Sequence, residues 1–231
     1  MTRLACALRL RATADMANVF LIDDDPNVLY AVGGLLRSFN YSAHVYDSAE
    51  TFLAAPYEPG CIVSDLRMPG IGGLELVTAL RAKNDPRAVI LLTAHGDVDL
   101  AVQALKLGAL DFVQKPFDDD RLLEAIARGI AITDQRAREH EELEVLKGRY
   151  ESLSRRQKEV LWLVVAGCPN KEISARLKIS VRTVETYRAW VLERMQARSL
   201  AELVRISVKL TSAGVPLSEP TQSNEATTDK V

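Results

Sequence analysis

Apolar residues fall along this chain in two rhythms. Between residue 17 and about 130, short apolar runs alternate with stretches of helical spacing. Val19-Phe20-Leu21-Ile22 is the first run, and three consecutive aspartates follow it. Residues 26–39 then carry Val28, Leu29, Val32, Leu35, Leu36 and Phe39 at helical spacing, with Pro26 suited to a first turn. Gly33-Gly34 weakens this helix and points to close packing. Residues 41–46 read as a strand, and 48–55 as a helix behind a Ser48 cap. A strand containing Ile62-Val63 ends at Asp65, 72–82 reads as a helix, and 89–92 is a strand ending at Thr93. Residues 97–108 form a helix from Asp97 to a Gly108 stop. The last strand, 110–113, ends at Lys115-Pro116, and 118–132 is helical again. Five uncharged apolar strands alternating with helices predict a doubly wound five-stranded parallel sheet covered on both faces.

The rhythm then changes. Residues 131–150 are rich in charge and helix formers, with Ile130, Leu143 and Leu146 as sparse apolar points around them. The stretch reads as a helical linker. A solvated spacer is favoured over a seam between subunits, because the apolar positions fall short of three heptads. Residues 151–211 predict four helices. The first, 152–166, is capped by Ser154, turns Val160, Leu161, Leu163 and Val164 inward, and stops at Gly167. Asn170 is expected to cap the second, Ser180 the third and Ser199 the fourth. Ile173, Leu177, Ile179, Val184, Val191 and Leu192 are the expected core, with Trp162 and Trp190 buried or partly buried. The turn 178–180 has helix-turn-helix spacing. Residues 212–231 are Ser/Thr/Pro-rich and expected to be disordered. Residues 1–16 form an N-terminal extension, also expected to be disordered, and the second Met at position 16 offers an alternative start.

Charge separates the two halves. The whole chain carries only −2. Residues 17–128 hold nine Lys/Arg against sixteen Asp/Glu, a net of −7, whereas 151–211 hold twelve against six, a net of +6. An acidic module joined to a basic one implies that the second meets a polyanion. No apolar run is long enough to span a membrane, so no membrane partner is expected. Cys6, Cys61 and Cys168 are an odd, scattered set. They predict buried small hydrophobes in a reduced cytoplasmic protein rather than a disulfide framework.

In a parallel sheet the functional groups gather beyond the carboxyl ends of the strands. Here those residues are Asp23, Asp24, Asp65, Thr93 and Lys115. Clustered carboxylates repel one another, and a hard divalent cation such as Mg²⁺ relieves that repulsion. Lys115 suits a phosphoryl group, Thr93 adds a hydroxyl, and a carboxylate can itself accept a phosphoryl group. Asp65 lies between the acidic pair and the Thr/Lys pair, and is the natural acceptor. Asp25 reads as a helix-start charge. His44, His95 and His140 are scattered and read as solvated or locally bonded, with His95 close enough to Thr93 to line the site.

Asp23-Asp24, Asp65 in VSDLRMPGIGG, Thr93 in LTAHGD and Lys115 in FVQKPF together resemble the receiver domain of bacterial two-component response regulators. The resemblance covers 17–130 and implies a flavodoxin-like (βα)₅ fold. It further implies Asp65 phosphorylated by a sensor histidine kinase, and Mg²⁺ held by Asp24, Asp65 and the backbone carbonyl of Arg67, with Asp23 acting through water. Thr93 and Phe112 take the switch positions, Lys115 binds phosphoryl oxygens, and Lys115-Pro116 is cis. The run LSRRQKEVLWLVVAGCPNKEISARLKISVRTVETYR resembles the LuxR-type helix-turn-helix over 151–211, an all-α four-helix domain. The chain as a whole is similar to FixJ-type response regulators, with Gln157 and Tyr187 as departures from the usual Glu and His. The resemblance implies that Glu185, Thr186 and Ala189 face base edges while Asn170, Lys171, Arg182, Thr183 and Arg188 hold phosphates of promoter DNA. It also implies a homodimer formed on phosphorylation through residues 97–117, and transcriptional activation with RNA polymerase as a partner.

Two rivals make different demands. A phosphohydrolase with Asp23 as nucleophile and Asp25 as acid leaves the basic half unexplained, so the chain is not expected to be an enzyme. A phosphate-independent DNA-binding protein with a decayed receiver leaves the complete Asp/Asp/Asp/Thr/Lys set unexplained.

Overall fold

The computed structural model describes residues 16–94 and 98–217. The expectations for Cys6, His95, Asp97, most of the N-terminal extension and 218–231 lie outside the described residues. The chain divides into two compact units, Met1–Arg138 and Glu139–Val231.

The first unit runs β1 (Asn18–Ile22), α1 (Pro26–Ser38), β2 (Ser42–Tyr46), α2 (Ala49–Ala54), β3 (Cys61–Asp65), α3 (Gly73–Ala82), β4 (Ala88–Thr93), α4 (Val98–Leu107), β5 (Asp111–Gln114) and the start of α5 (Asp119–Glu151). The sheet order is β2-β1-β3-β4-β5, with every pair parallel. Strand alternation sends Leu21, Val63 and Ile90 to one face, against Leu36 of α1 and Leu122 and Ile126 of α5. It sends Ile22, Ile62 and Leu91 to the other, against Phe52 of α2 and Leu76 and Leu80 of α3. Both faces being covered explains the apolar centres of β1, β3 and β4, whereas the edge strands β2 and β5 are partly buried and carry polar residues; each buried apolar side chain contributes about 1.5–3 kcal/mol. Asp25 caps α1 by accepting from the Asn27 N–H, with Pro26 in the first turn. Ser48 caps α2. Gly33 is buried beside Val45, but a Cβ on Gly34 has nothing within 4 Å, so the glycine pair is not a close-packing motif.

The expected helix at 118–132 and the expected linker are one 33-residue helix. Near its start, Leu122, Ile126 and Ile130 join the sheet core. Thr133, fully buried, accepts the Ala88 N–H at 2.9 Å and donates to the Gly129 carbonyl. Near its end, Leu143, Leu146 and Tyr150 pack into the second unit's core. A solvated spacer therefore describes only the exposed stretch 138–142. The few apolar groups suffice because the helical period returns them to one face at each end.

The second unit adds α6 (Arg155–Val165), α7 (Asn170–Leu177), α8 (Val181–Arg194) and α9 (Leu200–Ser212). Its core holds Val160, Leu161, Leu163, Val164, Ile173, Leu177, Val184, Val191, Met195, Leu203 and Leu210, with Ile179 and Leu192 partly buried against it. Residues 152–154 precede α6 rather than belonging to it. Ser154 and Gln157 form a reciprocal capping box, so Gln157 serves the cap that a Glu would serve. Ser180 and Ser199 cap α8 and α9. Asn170 does not cap α7. Pro169 holds that position without a side-chain bond, and the Asn170 side-chain Oδ1 instead accepts from Arg188 at 2.8 Å. Trp162 is partly buried as expected, whereas Trp190 is 46% exposed. Disorder from residue 212 is also corrected. Ser212 ends α9, Val215 and Leu217 pack on the core, and the Tyr150 hydroxyl donates to the Pro216 carbonyl at 3.2 Å. Two apolar side chains, the Tyr150 bond and the backbone bonds of Gly214 to Thr211 and Val215 to Leu210 hold a segment whose composition alone is polar.

The two glycines of α5 differ in surroundings and should respond oppositely to substitution. A Cβ on Gly129 would overlap the Sγ of the fully buried Cys61, whereas one on Gly148 meets nothing within 4 Å. Gly129→Ala is expected to destabilise by about 1–3 kcal/mol through overpacking. Gly148→Ala should stabilise by about 0.5–1 kcal/mol through helix propensity. Urea unfolding of the two variants checks both signs.

Candidate functional site

The chain passes from β1 to β2 on one side of the sheet and returns to β3 on the other. The crevice opened at this reversal lies beyond the carboxyl ends of β1 and β3. Asp23 follows β1 and Asp65 closes β3. The Asp23 N–H continues the strand bond to the Tyr46 carbonyl. Lys115, after β5, reaches across to both carboxylates: its Nζ is 2.7 Å from Asp23 Oδ2 and 2.5 Å from Asp65 Oδ1. Its own N–H donates to the Thr93 carbonyl at 2.7 Å, and the Lys115-Pro116 peptide is cis.

The two carboxylates are not equivalent. The Asp23 side chain is 2% exposed and that of Asp65 14%. Asp23 Oδ1 accepts the Asp25 N–H, and Asp65 Oδ2 accepts the Arg67 N–H at 2.7 Å. Burial raises the Asp23 pKa against the lowering pull of Lys115 and the Asp25 N–H. Burial works against the charge on Lys115, but its hydrogen bonds to Asp23 and Asp65 outweigh this and raise its pKa. The ammonium thus balances two carboxylates that would otherwise repel.

Of the residues expected to converge, the structure joins Asp23, Asp65 and Lys115 through side chains. Asp24 differs. It is exposed, and no hydrogen bond or ion pair links it to the other carboxylates. β1 ends at Ile22 and the backbone bends at Asp24, which leaves this carboxylate at the exposed rim. Among the described residues, no group of three or more His, Cys, Asp or Glu is disposed to hold a metal ion. Thr93 is buried, and its hydroxyl donates to the Ala94 carbonyl rather than to Asp65. Phe112 is partly buried against the core on the α3 side. Arg67 is exposed. Asp25 is spent on the α1 cap. His44 is bonded locally to Ser42 and Asn18 and stacks on Phe20. A residue passed over in the sequence is Glu50, whose Oε1 accepts the Ile71 N–H at 2.9 Å. Its partner lies 21 positions away, beyond any local pattern.

In the second unit, α7 and α8 are joined by a tight turn in which Lys178 takes a left-handed conformation. On α8, Arg182, Glu185, Thr186 and Ala189 are exposed, as is Lys171 on α7. Thr183 is partly buried in the Ser180 cap, 2.7 Å from its hydroxyl. The Thr186 hydroxyl donates back to the Arg182 carbonyl at 3.1 Å. Arg188 and Asn170 are paired with each other rather than separately extended. No helix of the described residues is long and apolar enough to cross a membrane.

Comparison with known proteins matches residues 19–127 to the response regulator receiver domain and 151–207 to the bacterial regulatory proteins of the luxR family. The transcriptional regulatory protein FixJ of Azorhizobium caulinodans is 45% identical over 192 residues, covering 82% of this chain and 91% of the relative. The response regulator protein TodT of Pseudomonas putida is 36% identical over 208 residues, covering 89% and 92%. The solved structure of the response regulator StyR superposes with a TM-score of 0.74 at 37% identity, covering 84% of this chain and all of that one. These relatives are regulators, not enzymes, which removes the phosphohydrolase reading. The chain therefore belongs to the two-component response regulators of the FixJ type, in which a receiver domain is followed by a LuxR-type DNA-binding domain.

Proposed function

We propose that Asp65 is the phosphoacceptor of this regulator, and that its phosphorylation by a sensor histidine kinase drives dimerisation and sequence-specific DNA binding. The observation that carries the reading is the asymmetry across Lys115: of the two carboxylates it holds, Asp65 is the one open to solvent. An Asp65 oxygen attacks the phosphorus of the kinase phosphohistidine. A P–O bond forms, the P–N bond breaks, and the imidazole leaves with its electron pair and gains a proton. Lys115 faces the oxygens that acquire charge, and the Arg67 N–H orients the carboxylate.

A hard divalent cation suits an all-oxygen donor set, and Asp65 with Asp23 already shares one cation, Lys115. Asp24, Asp65 and the Arg67 carbonyl are the residues to hold Mg²⁺, with Asp23 acting through water. Bound there, Mg²⁺ supplies neutralisation of phosphoryl oxygen charge. Once Asp65 is phosphorylated, the Thr93 hydroxyl leaves Ala94 for the phosphoryl group and Phe112 turns inward. The shifted state dimerises through residues 97–117. Val102 and Leu105, about two-fifths exposed, and the open edge of β5 support that face. Two LuxR-type domains then reach adjacent half-sites on promoter DNA in the cytoplasm, and the dimer activates transcription with RNA polymerase. Glu185, Thr186 and Ala189 read base edges; Lys171, Arg182, Thr183 and the Asn170–Arg188 pair hold phosphates.

Incubation with a small phosphodonor and Mg²⁺ is expected to give an acid-stable, base-labile acyl phosphate on the wild type and none on Asp65→Asn. Labelling of the variant overturns the assignment.

Lys115→Gln should lose stability in a pH-dependent way. The Asp23 pKa already lies above its ordinary 3.8, and removal of the ammonium lifts it further. Between 3.8 and the raised value the folded protein binds more protons than the unfolded chain, so its stability falls as pH rises through that window. Lys115 stabilises the wild type fully below its ordinary 10.5. The variant is expected to be weaker than wild type by about 1–3 kcal/mol at pH 7.5, and by less at pH 5. Urea titrations at both pH values measure the difference.

On DNA, Arg182→Ala should weaken binding to all sequences alike and lower the salt slope by about one. Glu185→Ala should instead relax preference at one base position, by about 1–3 kcal/mol. Binding isotherms at several salt concentrations, with single-base operator variants, separate the two.

A further inference from the structure

Residues 66–72 connect Asp65 to α3 and carry the Arg67 carbonyl, which the proposed function gives to the metal. Both ends of this segment are pinned. The Leu66 N–H donates to the Leu92 carbonyl at 2.8 Å, the Arg67 N–H to Asp65 at 2.7 Å, and the Gly73 N–H to the Leu66 carbonyl at 3.0 Å. Between these ends Pro69 and Gly70 are exposed, while Met68 and Ile71 pack against the core.

Glu50 reaches this outer part from another element. It is the second residue of α2, and its Oε1 accepts the Ile71 N–H at 2.9 Å. Gly70 turns directly over that carboxylate with φ +74°, and a Cβ there would overlap Glu50 Oε1. The left-handed turn and the missing side chain at 70 both serve the approach of Glu50 to Ile71. With both ends held, the segment keeps freedom only in its outer turn, and a tether at Ile71 restricts the positions of the carbonyls it carries before any ligand binds.

We propose that Glu50 is a positioning residue for the phosphoryl site: through Ile71 it fixes the segment that presents the Arg67 carbonyl, and so sets the affinity for Mg²⁺. The inference rests on the assignment of Asp65 and its metal. Glu50 touches neither the metal nor the phosphoryl group; it acts on the backbone that does.

The experiment uses the full chain and three substitutions. Glu50→Ala removes the acceptor. Glu50→Asp keeps the charge at the start of α2 but withdraws the oxygen from Ile71. Glu50→Gln loses the charge but keeps an oxygen in reach. Mg²⁺ affinity is read by calorimetry on the unphosphorylated protein, and exchange of the Ile71 amide by NMR. The Ala and Asp variants are expected to bind Mg²⁺ roughly five- to tenfold more weakly, less than the full worth of a hydrogen bond to a charged acceptor because Glu50 acts on the metal only through the backbone, and to exchange Ile71 faster. The Gln variant should stay near wild type. Labelling by a small phosphodonor should slow at limiting Mg²⁺ and recover at saturating Mg²⁺. If the Asp variant matches wild type while Gln does not, the charge and not the tether matters, and the proposal falls. It also falls if all three bind Mg²⁺ as wild type does. Should Glu50→Ala fail to fold, the contrast between Asp and Gln decides alone. An Asp65→Asn control that still takes label overturns the parent assignment instead.

Discussion

One ammonium group holds the receiver site together. Lys115 donates to Asp23 and Asp65 at once, and three separate strands supply the three side chains. Two carboxylates brought to the same end of a sheet, one of them nearly sealed from water, are unfavourable without a cation between them. The raised pKa of Asp23 records that strain, and the raised pKa of Lys115 its relief. Everything proposed for the domain depends on this balance being open to change by a second cation or an incoming phosphoryl group.

The fold supplies the balance through topology. Reversal of strand order between β1 and β3 makes the crevice, and parallel pairing sends every strand's carboxyl end to it. The core faces are apolar, whereas the rim is built from chain between elements: the Asp25 cap, the Thr93 hydroxyl bonded to the Ala94 carbonyl, and the 66–72 segment tied to Glu50. Stability and adjustability are thereby separated in space. The second unit follows a similar division. Val184 and Val191 lock α8 into its core while Arg182, Glu185, Thr186 and Ala189 remain exposed.

Sequence periodicity carried the element order well, because both faces of the sheet are covered and the central strands β1, β3 and β4 are consequently apolar runs. It failed where a few residues are recruited by distant partners. Thr133 looks like part of a charged spacer until the Ala88 N–H is seen to need it. Asn170 has the chemistry of a helix cap, but Arg188, one helix away, takes its oxygen. Val215 and Leu217 sit in a polar tail, yet the turn at Gly214 lays them on the core. Asp24 looks equivalent to Asp23, but the bend after β1 leaves Asp24 exposed while Asp23 is buried.

The amino-acid sequence alone therefore determined the residue types at the strand ends, the division into acidic and basic halves, and the family that those motifs resemble, since each is written in short local patterns. Tertiary structure decided which carboxylates share Lys115, which of them meets solvent, and which loop Glu50 restrains. Those outcomes depend on contacts between residues 21 to 92 positions apart, and no local pattern encodes the distance between groups that only the sheet brings together.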